Sequence, residues 1–306
     1  MSVPAPQQDV QHQHHQQHSP GRPATAVLAN PRSERVRSVS RLAGRPARVR
    51  AGAFLAEGPQ AVREAVPAGA VRDLYGTEEA LVRHGGLVEE ARRRGAAVRP
   101  CTDEVLAAMA DTVAPQGLLA VCRPVDVPLE RVLARRPRLV AVLAEVRDPG
   151  NAGTVLRAAD AAGADAVVLT AGSVDPYNPK CVRSTAGSLF HLDVVTGVGL
   201  AEAVAGLRSA GASVLAADGE GEHDLDDLAD AAAAGAGPLA GPVAWVFGTE
   251  AHGLSAEDRA LADGVVRVPL HGRAESLNLA TAAAVCLYAA ARAHRPRPSA
   301  GAGPRA

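Results

Sequence analysis

Residues 148–157, DPGNAGTVLR, form a glycine-bearing turn between an apolar run and an alanine-rich stretch, a place where a nucleotide phosphate could bind. The two common phosphate motifs are absent, because the segment has neither the GxGxxG of dinucleotide-binding proteins nor the GKS or GKT of a P-loop. Asn151 can either cap the following helix or contact a substrate. Arg157 follows Val155 and Leu156, so we expect a partly buried arginine that needs a partner.

Two later segments also place polar residues directly after apolar runs. In VFGTEAHGLS, Gly248 lets the backbone approach a ligand closely, and Glu250 is either a site residue or a carboxylate at a helix start. In VPLHGRAESLN, Ser276 and Asn278 lie where a helix is predicted to begin, and the free amides there attract polar or negative groups. Ser276 can equally be a simple N-cap.

These segments must be positioned by the elements of residues 139–294, where apolar strands alternate with helices. The run LVAVLAEV is typical of a parallel strand buried on both faces, and the whole pattern predicts a doubly wound parallel α/β sheet. The polar loops follow predicted strands and therefore share the carboxyl edge, where such sheets bind ligands. We predict helices over 153–162 and 276–293, a strand over 265–270, and an acidic, alanine-rich excursion at 218–241.

The rest of the chain divides into a small domain, a linker and two tails. Residues 1–30 are of low complexity and rich in Gln and His, so we expect a disordered tail. Residues 31–123 alternate short strands and helices and predict a small α/β domain. Prolines punctuate a linker at 124–138, and residues 295–306 predict a second disordered tail.

Composition limits the class of protein. Apolar residues make up 47% of the 306 residues and aromatic residues only 2%, so the cores must be built from Ala, Val and Leu. No apolar run reaches the ~20 residues that span a bilayer, and the N-terminus lacks a secretory signal, so we expect a cytoplasmic protein with no membrane partner. The four cysteines form no CxxC pair, which predicts reduced, packed thiols and no metal site.

The net charge of −1 conceals one basic segment. Seven arginines lie between positions 32 and 50, against the single acid Glu34. Such a run suits either a nucleic-acid phosphate backbone or a solvated basic face.

Taken together, the segments DPGNAGTVLRAADAAG, VFGTEAHGLS and VPLHGRAESLNLATAAAV resemble the three signature motifs of the SpoU/TrmH family of RNA ribose 2'-O-methyltransferases, within the SPOUT class. The resemblance covers residues 139–292 and includes the intervening DPYNPKCVRSTAGSLF, while residues 54–122 look like the family's substrate-binding domain. It implies a parallel-sheet SPOUT domain with a C-terminal trefoil knot, preceded by a small α/β substrate-binding domain. The excursion at 218–241 has no obvious counterpart in the family.

The resemblance also implies a reaction, in which a ribose 2'-hydroxyl attacks the methyl group of S-adenosylmethionine. It implies ribosomal RNA as the first substrate and transfer RNA as the second, and a homodimer through the knot; a catalytically silent RNA-binding module of the same fold is the alternative. The family's catalytic arginine corresponds to Arg157, with Asn151, Glu250, Ser276 and Asn278 orienting it and the ribose. Backbone near Gly248, Leu254, Val268, Leu270 and Leu277 would hold the cofactor, and Lys180, Arg183, Arg48 and Arg50 would contact RNA.

Overall fold

The first domain is built on a small mixed sheet. The computed structural model describes residues 26–249 and 252–295. The sheet order is β1-β4-β2-β3, in which β4 runs antiparallel to β1 and β2 while β2 and β3 are parallel. Its elements are α1 Glu34–Ser40, α2 Arg45–Ala51, β1 Phe54–Glu57, α3 Gly58–Ala65, β2 Val71–Gly76, α4 Glu78–Arg83, α5 Gly85–Arg93, β3 Ala97–Pro100, α6 Asp103–Met109 and β4 Leu118–Cys122.

The second domain is a seven-stranded sheet with every pairing parallel, which confirms the predicted α/β class. The strand order is β7-β6-β5-β10-β8-β11-β9. Its elements, after the connecting helix α7 Leu129–Ala134, are β5 Leu139–Leu143, α8 Pro149–Ala161, β6 Ala166–Thr170, α9 Pro179–Thr185, β7 Asp193–Val198, α10 Leu200–Ser209, β8 Ser213–Ala217, β9 His223–Asp224, α11 Leu225–Ala233, β10 Val243–Phe247, α12 Ala256–Ala260, β11 Gly264–Arg267 and α13 Leu279–Ala293.

Strand register brings the loops of interest to one edge. Phe247 at the end of β10 is level with Leu143 of β5 and Ala217 of β8, and Val266 of β11 is level with Ala217. All five residues of β5 and all five of β10 are buried, as expected of strands covered on both faces. The four cysteines are buried and free, as predicted.

Several predicted boundaries were wrong. Helix α8 begins at Pro149, four residues before the predicted start, and β11 ends at Arg267 rather than at 270. Helix α13 begins at Leu279, so Asn278 and not Ser276 is its N-cap. The excursion at 218–241 is folded: it contains edge strand β9 and helix α11.

The predicted tails fall mostly outside the described residues. Of the first tail only 26–30 are described, and there Leu28 forms a parallel β-bridge with Cys101, so this part of the chain joins the first domain. Of the second tail only Arg295 is described. The predicted linker contains α7, whose Leu129 and Val132 are buried against the second sheet.

The two domains meet through the loop after β6. Tyr177 in this loop places its ring against Phe54 of β1, with centroids 4.5 Å apart. The Tyr177 hydroxyl accepts hydrogen bonds from the backbone N–H groups of Val125 (2.8 Å) and Asp126 (2.7 Å) and donates to the Asp126 carboxylate. Burial and the Asp126 carboxylate both raise the pKa of Tyr177, so the phenol stays protonated as a donor. The first domain is thereby fixed beside the carboxyl edge of the second sheet.

Candidate active site

One hydrogen bond joins the starts of α8 and α13. Asn278 Oδ1 caps α13 by accepting from the N–H groups of Ala280 (2.9 Å) and Thr281 (3.4 Å). Its Nδ2 donates to Asn151 Oδ1 at 3.2 Å, across 127 residues of sequence. The first and third polar segments therefore form one site, as their shared edge predicts.

Asn151 does not cap its helix, so of the two alternatives that the sequence left open for this residue, capping is excluded. Asp148 is the N-cap of α8, and its Oδ1 accepts the Asn151 N–H at 2.7 Å. This bond, with the Lys180 ammonium 3.1 Å from Oδ2, lowers the pKa of Asp148. Because Asp148 holds the backbone of Asn151, the Asn151 side chain can face Asn278.

Arg157 lies on the exposed face of α8, although Val155 and Leu156 beside it are fully buried. The expectation of partial burial for Arg157 was wrong, and within the described residues no hydrogen bond or ion pair engages its guanidinium. It lies six residues after Asn151, about 9 Å along the helix axis. The side chain therefore carries a positive charge on the solvent-facing side of α8, between one and two turns after Asn151.

Two further predicted site residues are Glu250 and Ser276. Glu250 lies outside the described residues. Ser276 is exposed in the irregular segment before α13, two residues ahead of the cap.

The loop after β10 folds tightly upon itself. Thr249 and Gly253 exchange two backbone hydrogen bonds of 2.9 and 3.0 Å. Gly248 is buried, and a Cβ at that position would lie 2.3 Å from the Gly253 carbonyl carbon and 2.6 Å from the Leu254 nitrogen. No other residue type fits there, so Gly248 is needed for the loop itself. Leu254 is buried and lines a 700 Å³ depression between the ends of β5 and β10.

A second cavity, of 430 Å³, opens where β11 ends and α13 begins. Val268, Leu270 and Leu277, three of the five predicted cofactor-binding residues, line it together. Its walls are mainly aliphatic, and residues 268–277 form neither helix nor strand. Aliphatic walls with irregular backbone suit a flat, uncharged base such as adenine, so these residues fit the cofactor that the sequence predicts.

The four predicted RNA-binding residues differ in availability. Arg50 is exposed on α2, and Lys180 is exposed beside Asp148. Arg183 is exposed but forms an ion pair with Asp111 of the first domain at 2.9 Å. The prediction for Arg48 is corrected, because its side chain is only 5% exposed and is bound by Asp175 at 2.6 Å and by two backbone carbonyls. Arg48 is a contact between the domains and is not accessible to a phosphate.

Sequence reasoning missed why α9 lies so close to α8. A Cβ at Gly153 would be 2.5 Å from the carbonyl oxygen of Cys181 and 2.6 Å from Ser184 Cβ. At Gly150 it would lie 3.3 Å from the Lys180 side chain. The sequence feature that could have predicted this close packing is the pair Gly150 and Gly153. Because they are three residues apart, they leave one face of the helix without side chains. In the described parts of the chain, no cluster of three His, Cys, Asp or Glu residues could hold a metal ion.

Comparison with known proteins decides the family. A model described as the SpoU rRNA Methylase family matches residues 138–288, and one described as the MRM3-like substrate binding domain matches residues 33–120. RlmP of Bacillus subtilis (strain 168), a 23S rRNA (guanosine(2553)-2'-O)-methyltransferase, is 32% identical over 261 residues, which are 85% of this chain and 97% of RlmP. The chain belongs to the SpoU rRNA methylase family. This confirms the resemblance seen in the three motifs.

Other relatives and solved structures of the SpoU family agree. A 23S rRNA (uridine(2479)-2'-O)-methyltransferase of Streptomyces viridochromogenes is 34% identical, over 82% of this chain and 86% of its own. An AdoMet-bound rRNA methyltransferase from Sinorhizobium meliloti superimposes with a TM-score of 0.77 at 27% identity, over 89% of this chain and 99% of that one. The SpoU methyltransferase AviRb from S. viridochromogenes, in complex with AdoMet, gives 0.71 at 32% identity, over 85% and 98%.

In the described segments, no helix has the length and apolar character needed to cross a membrane.

Proposed function

We propose that this chain transfers a methyl group from S-adenosylmethionine to a ribose 2'-hydroxyl in 23S ribosomal RNA. Membership of the SpoU family and the relatives that act on 23S rRNA support this assignment. The single observation on the chain itself that carries it is the Asn151–Asn278 hydrogen bond, since it joins two of the three motifs, the first of which also contains the exposed Arg157. Transfer RNA is the second candidate substrate.

The cofactor supplies an electrophilic methyl group on a positively charged sulfur. A neutral alcohol is a poor nucleophile, so the ribose hydroxyl must release its proton to solvent as its oxygen forms the O–C bond and the S–C bond breaks, leaving a neutral thioether. The chain must stabilise the negative charge that this proton loss places on the ribose oxygen. Arg157 performs this role, because a guanidinium keeps its charge at all relevant pH values and this one has no competing carboxylate among the described residues. Asn151 and Asn278 position the ribose, and Glu250 and Ser276 are assigned to the same task from the sequence.

The cofactor belongs to the cavity beside α13. Val268, Leu270 and Leu277, which line this cavity, would hold the adenine, while Gly248 and Leu254 shape the adjoining loop after β10. On the ground of family membership we assign a trefoil knot to the loops after Phe247 and Leu270, with α13 threaded through them.

The functional unit is a homodimer. Helix α13 exposes one continuous face with Thr281, Val285, Tyr288 and Arg292, and two of these are large apolar side chains, 40% and 51% exposed. Arg157 is on the exposed face of α8, which packs against α13. Pairing of these faces would cover the apolar residues and place the Arg157 of one subunit near the cofactor of its partner.

RNA approaches along the first domain and helix α9. The arginines of α1 and α2 are exposed apart from Arg48, and Lys180 and Arg183 continue the positive surface toward α8. Such a surface attracts the phosphate backbone without reading its sequence. The cytoplasm is the proposed location, since the named relatives are bacterial proteins that act on ribosomal RNA.

Methyl transfer to purified RNA tests the proposed function. The chain is incubated with methyl-labelled S-adenosylmethionine and either 23S rRNA or bulk transfer RNA from cells that lack the gene, and modified riboses are mapped. We expect one 2'-O-methylated position in 23S rRNA. Methylation of transfer RNA alone would identify transfer RNA, and not 23S rRNA, as the substrate. RNA binding without cofactor binding would instead establish the catalytically silent RNA-binding module.

A further inference from the structure

The excursion at 218–241, which the family motifs do not account for, forms one wall of the cofactor cavity. Edge strand β9 pairs with β11, and Asp224 is level with Arg267. Arg267 holds the excursion in place through Nη1, which donates to the Gly221 carbonyl at 3.0 Å, and through an ion pair with Asp224 at 3.2 Å. A Cβ on Gly221 would lie 2.5 Å from the Arg267 nitrogen, so the two segments are in closest contact.

This pairing places Asp226 at the cavity. Asp226 lies in the first turn of α11, two residues after the paired Asp224, and its exposed side chain is among the residues that line the cavity. The Asp226 N–H donates to the Asp224 carboxylate at 2.9 Å, which fixes the backbone at the start of α11. Asp226 therefore lines the cavity together with Val268, Leu270 and Leu277.

Asp226 is chemically unlike the rest of this wall. It is the single carboxylate among the described residues that line the cavity, and the other walls are mainly aliphatic. Within the described residues, no side chain donates a hydrogen bond to it. In a mostly apolar pocket, isolated polar groups set the orientation of the ligand.

We propose that Asp226 accepts hydrogen bonds from the ribose hydroxyls of the adenosine half of the cofactor. This inference rests on the proposed function. Two adjacent hydroxyls offer two donors, which match the two acceptor oxygens of one carboxylate, and dinucleotide-binding proteins use an acidic side chain for a ribose hydroxyl in the same way. The aliphatic wall would contact the adenine, and Asp226 would contact the ribose. Both contacts are independent of the positive charge on the cofactor's sulfur.

Ligand binding by matched variants tests the inference. Binding of S-adenosylmethionine, S-adenosylhomocysteine and the 2'-deoxy analogue of S-adenosylhomocysteine is measured by calorimetry for the wild-type chain, Asp226→Asn and Asp227→Asn. Asp227 is the matched control, because it is the next residue, is exposed in the same first turn of α11 and does not line the cavity. Both variants remove one negative charge from the same helix end.

We expect Asp226→Asn to weaken S-adenosylmethionine and S-adenosylhomocysteine by the same factor, about tenfold, and Asp227→Asn to change neither. Removal of the 2'-hydroxyl should weaken binding to the wild-type chain but have little further effect in Asp226→Asn. Equal binding by both variants, a loss confined to S-adenosylmethionine, or additive losses would each overturn the inference. A wild-type chain that binds neither full ligand would overturn the proposed function instead.

Discussion

At the scale of single residues, Asn278 has two separate tasks. Its Oδ1 caps α13, and its Nδ2 holds the Asn151 side chain. The cap stabilises the fold, while the bond to Asn151 orients a group proposed to position the ribose. The two tasks use different atoms of one amide, so different substitutions can separate them.

Asn278→Ala should lower the free energy of unfolding by about 1 kcal/mol, because the N-cap is lost. Asn278→Ser should keep the stability within a few tenths of a kcal/mol, since serine caps nearly as well. Both variants should reduce kcat for methyl transfer roughly tenfold, as neither reaches Asn151. Urea denaturation and single-turnover kinetics measure the two effects. A serine variant with the wild-type rate would show that the bond to Asn151 has no part in the reaction.

The residue types of this site could be predicted from the sequence, but not all of their roles. The pattern DPGN contains two possible caps, Asp148 and Asn151, and local sequence does not choose between them. Which of the two residues caps the helix depends on Asn278, 127 residues away, because Asn278 forms a hydrogen bond with the Asn151 side chain. Arg157 and Arg48 were misjudged for the same reason: whether an arginine is exposed or paired depends on which distant segment packs beside it.

At the scale of elements, the contact between α8 and α9 determines the shape of the first motif. Gly153 lets the α9 backbone approach directly, and α9 carries Lys180 and Arg183. The same contact fixes α8, and with it Arg157. A glycine in the middle of a helix costs about 1 kcal/mol relative to alanine, so the close packing must offset that cost.

Gly153→Ala should destabilise the protein by roughly 1–3 kcal/mol in spite of the better helix propensity, because the new methyl group collides with the Cys181 carbonyl. Gly86→Ala in α5 is the control: a Cβ there meets nothing within 4 Å, so stability should stay the same or rise slightly. Urea denaturation of both variants measures the difference. Equal stabilities would contradict a close contact between α8 and α9.

Strands and helices were predicted correctly where the apolar pattern was strong, and they were missed where a strand exists only because it pairs with a distant one. The apolar runs of β5 and β10 were recognisable because both faces of these strands are buried. Strand β9 has only two residues, His223 and Asp224. It pairs with β11 because Gly221 has no side chain to obstruct the contact and because Arg267 donates a hydrogen bond to the Gly221 carbonyl. No local pattern reports that pairing.

At the scale of the whole molecule, polar contacts fix the first domain on the second. One of them is titratable: His191 lies between Asp160 of α8, at 2.8 Å from Nδ1, and Glu64 of α3, at 3.1 Å from Nε2. The hydrogen bond to the Asp160 carboxylate is the largest cause of the raised pKa of His191; partial burial opposes it, and Glu64 adds to the rise. The Glu64 side chain packs against Gly187, and only glycine allows this contact, because a Cβ at position 187 would lie 2.5 Å from Glu64 Cγ.

The raised pKa of His191 predicts the sign of a pH effect. Protonated His191 binds both carboxylates, so its contribution is fully present below about pH 6.5, the ordinary value for histidine, and is lost as pH rises through the raised folded-state value. The wild-type chain should therefore exceed His191→Gln in stability at pH 6, by at most about 1 kcal/mol for such an exposed pair, and the gap should close at higher pH. Thermal unfolding across this range checks the sign; a gap that widens with pH would contradict it.

The arrangement of the two domains was beyond sequence reasoning because it depends on surfaces rather than on periodicity. The basic segment 32–50 could be recognised, yet only packing shows that Arg48 is directed inward toward Asp175 while Arg50 is exposed. Threading of a chain end through a loop leaves no local pattern either, so the knot followed only from the family resemblance.

The role of Arg157 is tested most directly by its effect on the chemical step. Single-turnover transfer of labelled methyl groups to 23S rRNA is measured for the wild-type chain, Arg157→Ala, Arg157→Lys and Arg208→Ala, the last an exposed arginine of α10. Arg157→Ala should lower the rate by about 100- to 1,000-fold, as loss of one stabilising donor does. Arg157→Lys should restore part of the rate, and Arg208→Ala should leave the rate unchanged. The affinity for the cofactor should stay within about twofold of the wild-type value in all variants. Wild-type transfer by Arg157→Ala would contradict the account.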